Sequence, residues 1–201
     1  MSATERPGGG PVVWHPGRVS RQQRAELTGG EGMTIWLTGL SGAGKSTIAR
    51  ELEAQLVAGG RGAYVLDGDN LRHGLCADLG FGPAARDENV RRTAEVACLL
   101  ADAGLVVVVA LVSPYRSARV AARQRHAEAG IAFAEVHVAT SLEECRRRDP
   151  KGLYAASAAG ELQGLTGVDD PYEPPEDPEL RLDATEVDPA ELARRVAALV
   201  R

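Results

Sequence analysis

The sequence predicts an α/β fold in which a mostly parallel central sheet is flanked by helices on both faces. Short apolar runs alternate with helix-like segments along most of the chain, as is typical of strand–helix–strand units. The run "LVVVVALV" at 105–112 is apolar throughout, as expected of a strand buried on both faces. A chain of 201 residues fits one domain, which we place at 14–201, after a proline- and glycine-rich tail at 1–13 that we expect to be disordered.

The predicted elements follow one another from residue 19 onward. A serine-capped helix in "VSRQQRAELTG" precedes the strand "MTIWLTG", the helix "KSTIARELEAQLVAGG" and the strand "GAYVLDGD". The helix "ARDENVRRTAEVACLLADAG" leads to the buried strand, and the helix "SARVAARQRHAEAG" leads to the strand "IAFAEVHVA". After Asp149 the sequence becomes rich in glycine and proline, before a last strand at 180–182 and a closing helix in "DPAELARRVAALVR". Since strand–helix–strand crossovers are right-handed, we expect parallel strands.

Composition and charge exclude several classes of protein. The formal net charge of −5 disfavours general binding to nucleic acid or to an anionic membrane, so an anionic ligand requires a local basic pocket. Three cysteines without paired spacing, Cys76, Cys98 and Cys145, indicate reduced thiols in a cytoplasmic protein rather than a disulfide framework or a zinc site. No apolar run is long enough to span a bilayer and the N-terminus has no signal-peptide pattern, so we expect a soluble protein without a membrane partner.

The segment "GLSGAGKS" at 39–46, the phosphate loop, matches the pattern G-x-x-x-x-G-K-[ST] and lies between a predicted strand and a predicted helix. Its glycines allow the backbone to wrap around phosphates, and the helix N-terminus points N–H groups at the anion. Lys45 is expected to reach the β- and γ-phosphates, and the Ser46 hydroxyl to ligate Mg²⁺. The pattern predicts a three-layer P-loop NTPase fold. A switch, a motor and a kinase stay open, although the chain has no N-K-x-D sequence that would read guanine.

Further polar residues follow the strands that end beside the phosphate loop. "LDGDN" at 66–70 places Asp67 and Asp69 where a carboxylate can hold Mg²⁺ or accept a proton from an attacking hydroxyl, with a solvated turn as the alternative. Ser113 in "VSPYR" faces the same edge, although a helix cap is the commoner role of such a serine. Four arginines follow closely, with Asn89 among them, and suggest that the site captures a second anion, the acceptor: Arg72, Arg86, Arg91 and Arg92. For Arg91 and Arg92, a position on a plain helix surface is equally open.

A chain of motifs then resembles one family of P-loop kinases, the adenylylsulfate kinases. The motifs are, in order, "TIWLTGLSGAGKST", "DGDNLRHGL", "DLGF", "RDENVRR", "SPYR", "RDPKGLY" and "YEPP". With "VVWHPGRVSRQQR", which is similar to the family's N-terminal tract, the resemblance runs from about residue 14 to the last helix. It implies an enzyme that phosphorylates the 3′-hydroxyl of adenosine 5′-phosphosulfate (APS) with ATP and Mg²⁺, and that commonly forms a homodimer.

The resemblance also assigns roles to residues. ATP is implied to bind Gly39, Leu40, Ser41, Gly42, Ala43, Gly44, Lys45, Ser46 and Thr47. APS is implied to contact Asp69, Asn70, Arg72, Phe81, Arg86, Asn89, Val112, Ser113, Lys151, Gly164 and Leu165. The catalytic group would comprise Lys45, Asp69, Ser113 and Lys151, and the metal would be held by Ser46 and Asp67.

Individual roles follow from the same resemblance. Asp69 would be the base for the 3′-hydroxyl, and Asp67 would support it through the metal. Phe81 would stack on the acceptor adenine, while Arg86 and Asn89 would bind its phosphosulfate side and its base. Ser113 matches a serine proposed to carry a phosphoryl group, although direct in-line transfer needs only positioning and charge neutralisation. Lys151 matches the lysine of a mobile lid.

The lid segment, residues 149–175, departs from the family pattern. The family usually continues "KGLYKKA" and later "FTG", whereas this chain has Ala155 and Ala156 in place of the lysines and Leu165 in place of the phenylalanine. Loss of one stacking face costs on the order of 1–3 kcal/mol, and loss of two lysines lowers the positive potential near the phosphates. Two alternatives therefore stay open: a kinase of the same fold that phosphorylates another nucleoside or a specialised metabolite, and a non-catalytic nucleotide-binding regulator.

Overall fold

The computed structural model describes residue 13 and residues 15–200. Its elements in chain order are α1 Arg21–Thr28, β1 Met33–Thr38, α2 Lys45–Ala58, β2 Ala63–Asp67, α3 Gly68–Leu71, α4 Pro83–Asp102, β3 Val106–Ala110, α5 Arg116–Glu128, β4 Ala132–Val138, α6 Leu142–Arg148, α7 Leu153–Ala158, β5 Leu180–Leu182 and α8 Pro189–Ala197. Apart from residue 13, the tail expected at 1–13 lies outside the described residues.

The central sheet has five strands in the order β2-β3-β1-β4-β5, and all its neighbouring strands are parallel. Every residue of β1 is buried, with β3 paired on one side and β4 on the other. The chain leaves β1 toward β2 on one side and later places β4 on the opposite side. The carboxyl end of β1 therefore lies at a switch in strand order, where α/β folds bind ligands.

Each face of the sheet packs against its own hydrophobic cluster. Val106 and Val108 of β3 belong to the cluster formed with α2 and α8, whereas Val107 and Val109 belong to the cluster formed with α4 and α5. All four side chains are fully buried, which explains why the strand is apolar at every position. Burial of each valine contributes about 1.5–3 kcal/mol. These two clusters confirm the predicted α/β fold with three layers.

Local sequence signals account for several helix ends. Ser20 begins α1 in a capping box with Gln23, and Pro83 occupies the first turn of α4. Asp188 accepts a hydrogen bond from the backbone at the start of α8, directly before the proline of its first turn. These signals are short-range, so the sequence predicts these helices without knowledge of the tertiary structure.

Three short helices were not expected from the sequence. α3, α6 and α7 have 4, 7 and 6 residues, too few for a helical period to be recognised. α7 lies within the stretch interpreted as glycine-rich lid. It forms because the Asp149 carboxylate accepts hydrogen bonds from the backbone N–H groups of Tyr154 and Ala155, at 3.2 and 2.9 Å.

Cys76, Cys98 and Cys145 are buried free thiols, and burial raises the pKa of all three. In the part of the chain that the structure describes, no three His, Cys, Asp or Glu side chains are grouped to hold a metal ion. None of the helices described is both long enough and apolar enough to cross a bilayer.

Candidate active site

A cavity of about 700 Å³ opens at the carboxyl edge of the sheet, beside the ends of β1, β2 and β3. Most of the predicted site residues line it: Ser41, Gly42, Gly44, Lys45, Ser46, Thr47, Asp67, Asp69, Arg72, Phe81, Arg86, Asn89, Val112, Ser113, Lys151, Gly164 and Leu165. Four predicted residues do not line it, namely Gly39, Leu40, Ala43 and Asn70. Ala43 instead packs into the core, and Asn70 is exposed on α3.

The phosphate loop depends on its glycines. Gly39, Gly42 and Gly44 have φ values of 153°, 75° and 106°, which side chains rarely tolerate. A Cβ on Gly39 would lie 2.4 Å from the carbonyl oxygen of Val138, so no other residue fits there. Gly44 begins α2 without a side-chain cap, which leaves the first N–H groups of this helix for an anion.

Lys45 lies in the floor of this loop. Its ammonium group donates to the carbonyl oxygens of Gly39 and Leu40, at 2.9 and 2.7 Å. Burial lowers the pKa of Lys45 to about 8, against the attraction of Asp67 and Asp69. A bound phosphate would replace the neutral carbonyl partners with a charged one.

Asp67 and Asp69 lie at the junction of β2 and α3. The Asp67 Oδ1 accepts a hydrogen bond of 2.9 Å from the Asp69 N–H and so fixes the start of α3. The Asp69 carboxylate forms an ion pair with Lys151, and both side chains are about half exposed. The lid segment therefore reaches one of the two carboxylates that line the cavity.

Phe81 forms the far wall, with two arginines beside it. Arg72 donates to the carbonyl oxygens of Leu79 and Gly80, and its guanidinium carbon lies 4.1 Å from the centroid of the Phe81 ring. Arg86 donates from Nε to the Phe81 carbonyl oxygen at 2.8 Å. The Phe81 ring contacts the Arg72 guanidinium and, with 64% of the residue exposed, is accessible for stacking.

Asn89 contributes a polar atom at this end of the cavity. Its side chain is 7% exposed, and within the described residues its Oδ1 is buried without a hydrogen-bond partner. A buried acceptor without a hydrogen-bond partner lowers the stability of the folded protein unless a ligand supplies the missing donor.

Arg91 and Arg92 do not reach the cavity. Both pair with Glu88, and Arg92 also forms a bidentate pair with Asp78 at 2.6 and 2.8 Å. Of the two alternatives for these arginines, the structure supports the helix surface. Arg92 additionally fixes the loop before α4 to that helix.

Ser113 lies in a strained loop after β3. Its φ is 40°, its side chain is almost completely buried, and its Oγ accepts a hydrogen bond of 3.1 Å from the Trp36 indole N–H. The helix-cap alternative is wrong, because the N-cap residue of α5 is Tyr115, and the first N–H of the helix, that of Arg116, donates to the Glu173 carboxylate at 2.7 Å. A phosphoryl-carrying role stays a prediction.

Contacts that sequence reasoning missed hold both ends of the lid segment. The Tyr154 hydroxyl donates to the Ser41 carbonyl oxygen at 2.9 Å, which joins α7 to the phosphate loop. At the other end, the Glu173 N–H donates to Pro114, and Arg119 donates to the Glu173 carbonyl oxygen at 2.6 Å. Tyr154 belongs to the motif "RDPKGLY", but nothing in the sequence near Arg119 indicates the distant partners of that arginine.

Leu165 lies between these ends and faces the cavity with 7% exposure. The turn that carries it is fixed by Asp169, whose carboxylate accepts from the N–H groups of Gly164 and Leu165, each at 2.7 Å. Movement of the lid stays a prediction. Ala155 and Ala156 lie on α7 and do not line the cavity.

A phosphate loop between a strand and a helix, with carboxylates and arginines at the same sheet edge, defines a P-loop phosphotransferase. Residues 31–183 match the family model for adenylylsulphate kinase. The chain belongs to the adenylylsulphate kinase family.

Individual relatives agree with this assignment. The adenylyl-sulfate kinase of Aeromonas hydrophila is 53% identical over 171 residues, which is 85% of this chain and 86% of that protein. The APS kinase of Mycobacterium tuberculosis, solved in complex with AMPPNP and APS, is 53% identical, with a TM-score of 0.83 over 85% of this chain and 98% of that one. A hexameric APS kinase from Thiobacillus denitrificans is 36% identical, with a TM-score of 0.63 over 88% of this chain and 31% of that one.

Proposed function

We propose that this chain transfers the γ-phosphoryl group of ATP to the 3′-hydroxyl of APS, giving 3′-phosphoadenylyl sulfate. The observation that carries the proposal is one cavity that joins a phosphate loop to a carboxylate and an arginine-lined aromatic wall, in a member of this family. Two ligands thus meet at one sheet edge, with the donor phosphates at one end and the acceptor at the other.

The donor end fits ATP and Mg²⁺. The glycines Gly42 and Gly44, which line the cavity with positive φ values, and the uncapped start of α2 suit a polyphosphate, and Lys45 is buried where it would meet the terminal phosphates. Ser46 and Asp67 both line the cavity, and hard oxygen ligands such as a hydroxyl and a carboxylate suit Mg²⁺. When bound, the metal neutralises charge on the phosphate oxygens.

Asp69 is the general base of the proposal. Its carboxylate would accept the proton of the attacking 3′-hydroxyl as the oxygen approaches the γ-phosphorus in line. Lys151 is paired with Asp69 here, so it must turn from the carboxylate toward the phosphates when both ligands are bound. Lys151 would thus pair with Asp69 without ligands and with the phosphates when both ligands are bound. Asp69 would exchange Lys151 for the 3′-hydroxyl of the acceptor.

The acceptor end suits a base that carries an anionic tail. Phe81 offers a flat apolar face, and the unpartnered Asn89 oxygen would accept a hydrogen bond from an amino group such as that of adenine. Arg72 and Arg86 supply the positive charge that a phosphosulfate requires. Leu165 covers this end by apolar contact but cannot stack.

A related kinase with another hydroxyl acceptor is the second candidate, and Leu165 is the observation that favours it. An aliphatic residue in place of an aromatic one weakens selection for a flat base. The retained Phe81, Arg86 and Asn89 favour APS, because all three line the cavity.

The test is a coupled ADP-release assay with MgATP and APS, run beside a panel of nucleosides and sugars. We expect APS to be turned over with the highest kcat/KM of the panel. The Lys45→Ala variant is the matched control. Any ADP that this variant releases is background that does not come from this site. Turnover of another alcohol but not of APS would replace the first candidate with the second.

Assembly and location are further parts of the proposal. A homodimer is proposed from the family, and the hexameric relative makes higher assemblies an alternative that light scattering would distinguish. A cytoplasmic location is proposed because all three cysteines are free thiols.

A further inference from the structure

Asp170 is a charged lid residue to which neither the motifs nor the proposed mechanism gives a role. Its carboxylate lies 3.6 Å from the Arg86 Nε, and both side chains are only 13% exposed. Burial of an ion pair removes two charged groups from water, and this cost offsets much of their attraction. The contribution of the pair to stability therefore does not explain why both charges are present. The residue on the other side of the pair is one of the two arginines assigned to the acceptor anion.

The Asp170 carboxylate is itself held in place by two hydroxyl groups. The Tyr115 hydroxyl donates to it, at 3.0 Å from Oδ1 and 3.3 Å from Oδ2. The Thr166 hydroxyl donates to Oδ2 at 3.2 Å, and Thr166 is buried. Asp170 therefore connects three parts of the site, which are α4 through Arg86, the loop after β3 through Tyr115, and the lid turn through Thr166.

Arg86 is correspondingly restricted. Its Nε donates to the Phe81 carbonyl oxygen and its Nη2 to the Gly164 carbonyl oxygen, both at 2.8 Å. With Asp170 facing Nε, the guanidinium plane is fixed on one side by the wall that carries Phe81 and on the other by the lid. The orientation of a planar guanidinium decides which donors it can offer to an anion.

We propose that Asp170 is a positioning residue that, together with Tyr115, holds Arg86 in the orientation in which it receives the anionic group of the acceptor. The proposal rests on the proposed function, in which Arg86 binds the phosphosulfate side. Asp170 acts through Arg86 and not on the reacting atoms. Its loss is therefore expected to weaken acceptor binding and to leave the use of ATP unchanged.

The test compares steady-state kinetics of Asp170→Asn, Tyr115→Phe and the double variant with wild type. For Asp170→Asn we expect KM for APS to rise about tenfold, as for the loss of one charge-assisted contact, with KM for MgATP unchanged. Tyr115→Phe should raise KM for APS to a smaller extent. The double variant should resemble Asp170→Asn, because both changes act on one connected group.

Glu176→Gln is the matched control, since Glu176 is an exposed acid just after the lid segment that pairs only with Arg116 among the described residues. It should behave as wild type. An unchanged or lower KM for APS in Asp170→Asn would overturn the positioning role, and so would an equal rise in KM for MgATP. If Asp170→Asn does not fold, an unchanged KM for APS in Tyr115→Phe would by itself overturn the positioning role. Absence of APS turnover in wild type would instead reject the proposed function, and this proposal with it.

Discussion

Asp69 and Leu165 contribute to different properties of the site: Asp69 to the proposed reaction, and Leu165 to the choice of acceptor. Asp69 lies beside the phosphate loop and is ion-paired with Lys151, whereas Leu165 contributes apolar cover at the acceptor end. The sequence predicted both positions through short motifs. It did not predict that Lys151 would pair with Asp69, because that contact joins residues 82 positions apart.

At Asp69, replacement by asparagine keeps the shape of the side chain and removes its basicity. We expect Asp69→Asn to bind MgATP as wild type does, with kcat lower by about 10²–10⁴-fold, the usual contribution of a general base. Calorimetry measures the first quantity and ADP release the second. A kcat close to that of wild type would remove Asp69 from the role of base.

At Leu165, restoring an aromatic ring tests what the lid does for the acceptor. Leu165→Phe should lower KM for APS about fivefold or more, if the ring stacks on the base, and should leave KM for MgATP unchanged. Val168→Phe is the matched control, because Val168 is an exposed lid residue outside the cavity. Equal KM values for APS in all three proteins would show that Leu165 does not cover the acceptor.

At the scale of the element, α5 holds the end of the lid through a buried arginine. Arg119 is 2% exposed and donates to Glu135 at 2.7 Å, to the Ser113 carbonyl oxygen at 2.7 Å and to the Glu173 carbonyl oxygen at 2.6 Å. Sequence patterns predicted α5 as a helix. They could not show that one of its charges is buried, because the partners come from β4, the Ser113 loop and the lid.

Removal of the Arg119 side chain should therefore destabilise the protein strongly. Arg119→Ala leaves the largely buried Glu135 carboxylate with only a 3.8 Å contact to Arg123, and we expect the free energy of unfolding in urea to fall by about 3–5 kcal/mol. Arg123→Ala is the matched control one turn farther along. Arg123 is partly exposed, and its pair with Glu179 and its longer contact of 3.8 Å with Glu135 contribute about 1 kcal/mol or less. Equal losses in the two variants would contradict a special role of Arg119.

At the scale of the whole molecule, the regular framework could be predicted from the sequence and the connections between its parts could not. β3 was recognisable because both its faces are buried, and α8 because an aspartate and a proline begin it. The short α7 and the pair of Arg86 with Asp170 depend on contacts between distant segments. Such contacts leave no periodic signal in the chain.

The stability of the molecule should depend on pH through the buried His137. Burial, assisted by Arg181 on β5 and Arg119 on α5, lowers the pKa of His137 to about 4, and the Tyr172 ring lies 5.8 Å from its ring. The unfolded chain then binds more protons than the native one between about pH 4 and 6.5, so stability falls as the pH falls through this range.

Urea unfolding at pH 7 and pH 5 measures this effect. We expect wild type to lose on the order of 1–2 kcal/mol more than His137→Gln between the two values. His73→Gln, a change at an exposed histidine, should behave as wild type. The same loss in His137→Gln as in wild type would show that other groups carry the pH dependence.

The most direct test of the proposed activity is the identity of the product. The protein is incubated with MgATP and APS, and the mixture is followed by ³¹P NMR. The account predicts a 3′-phosphomonoester signal that grows in equal amount to ADP while the phosphosulfate linkage stays intact. ADP formation without a 3′-phosphorylated product, or with APS unchanged, would contradict phosphoryl transfer to this acceptor.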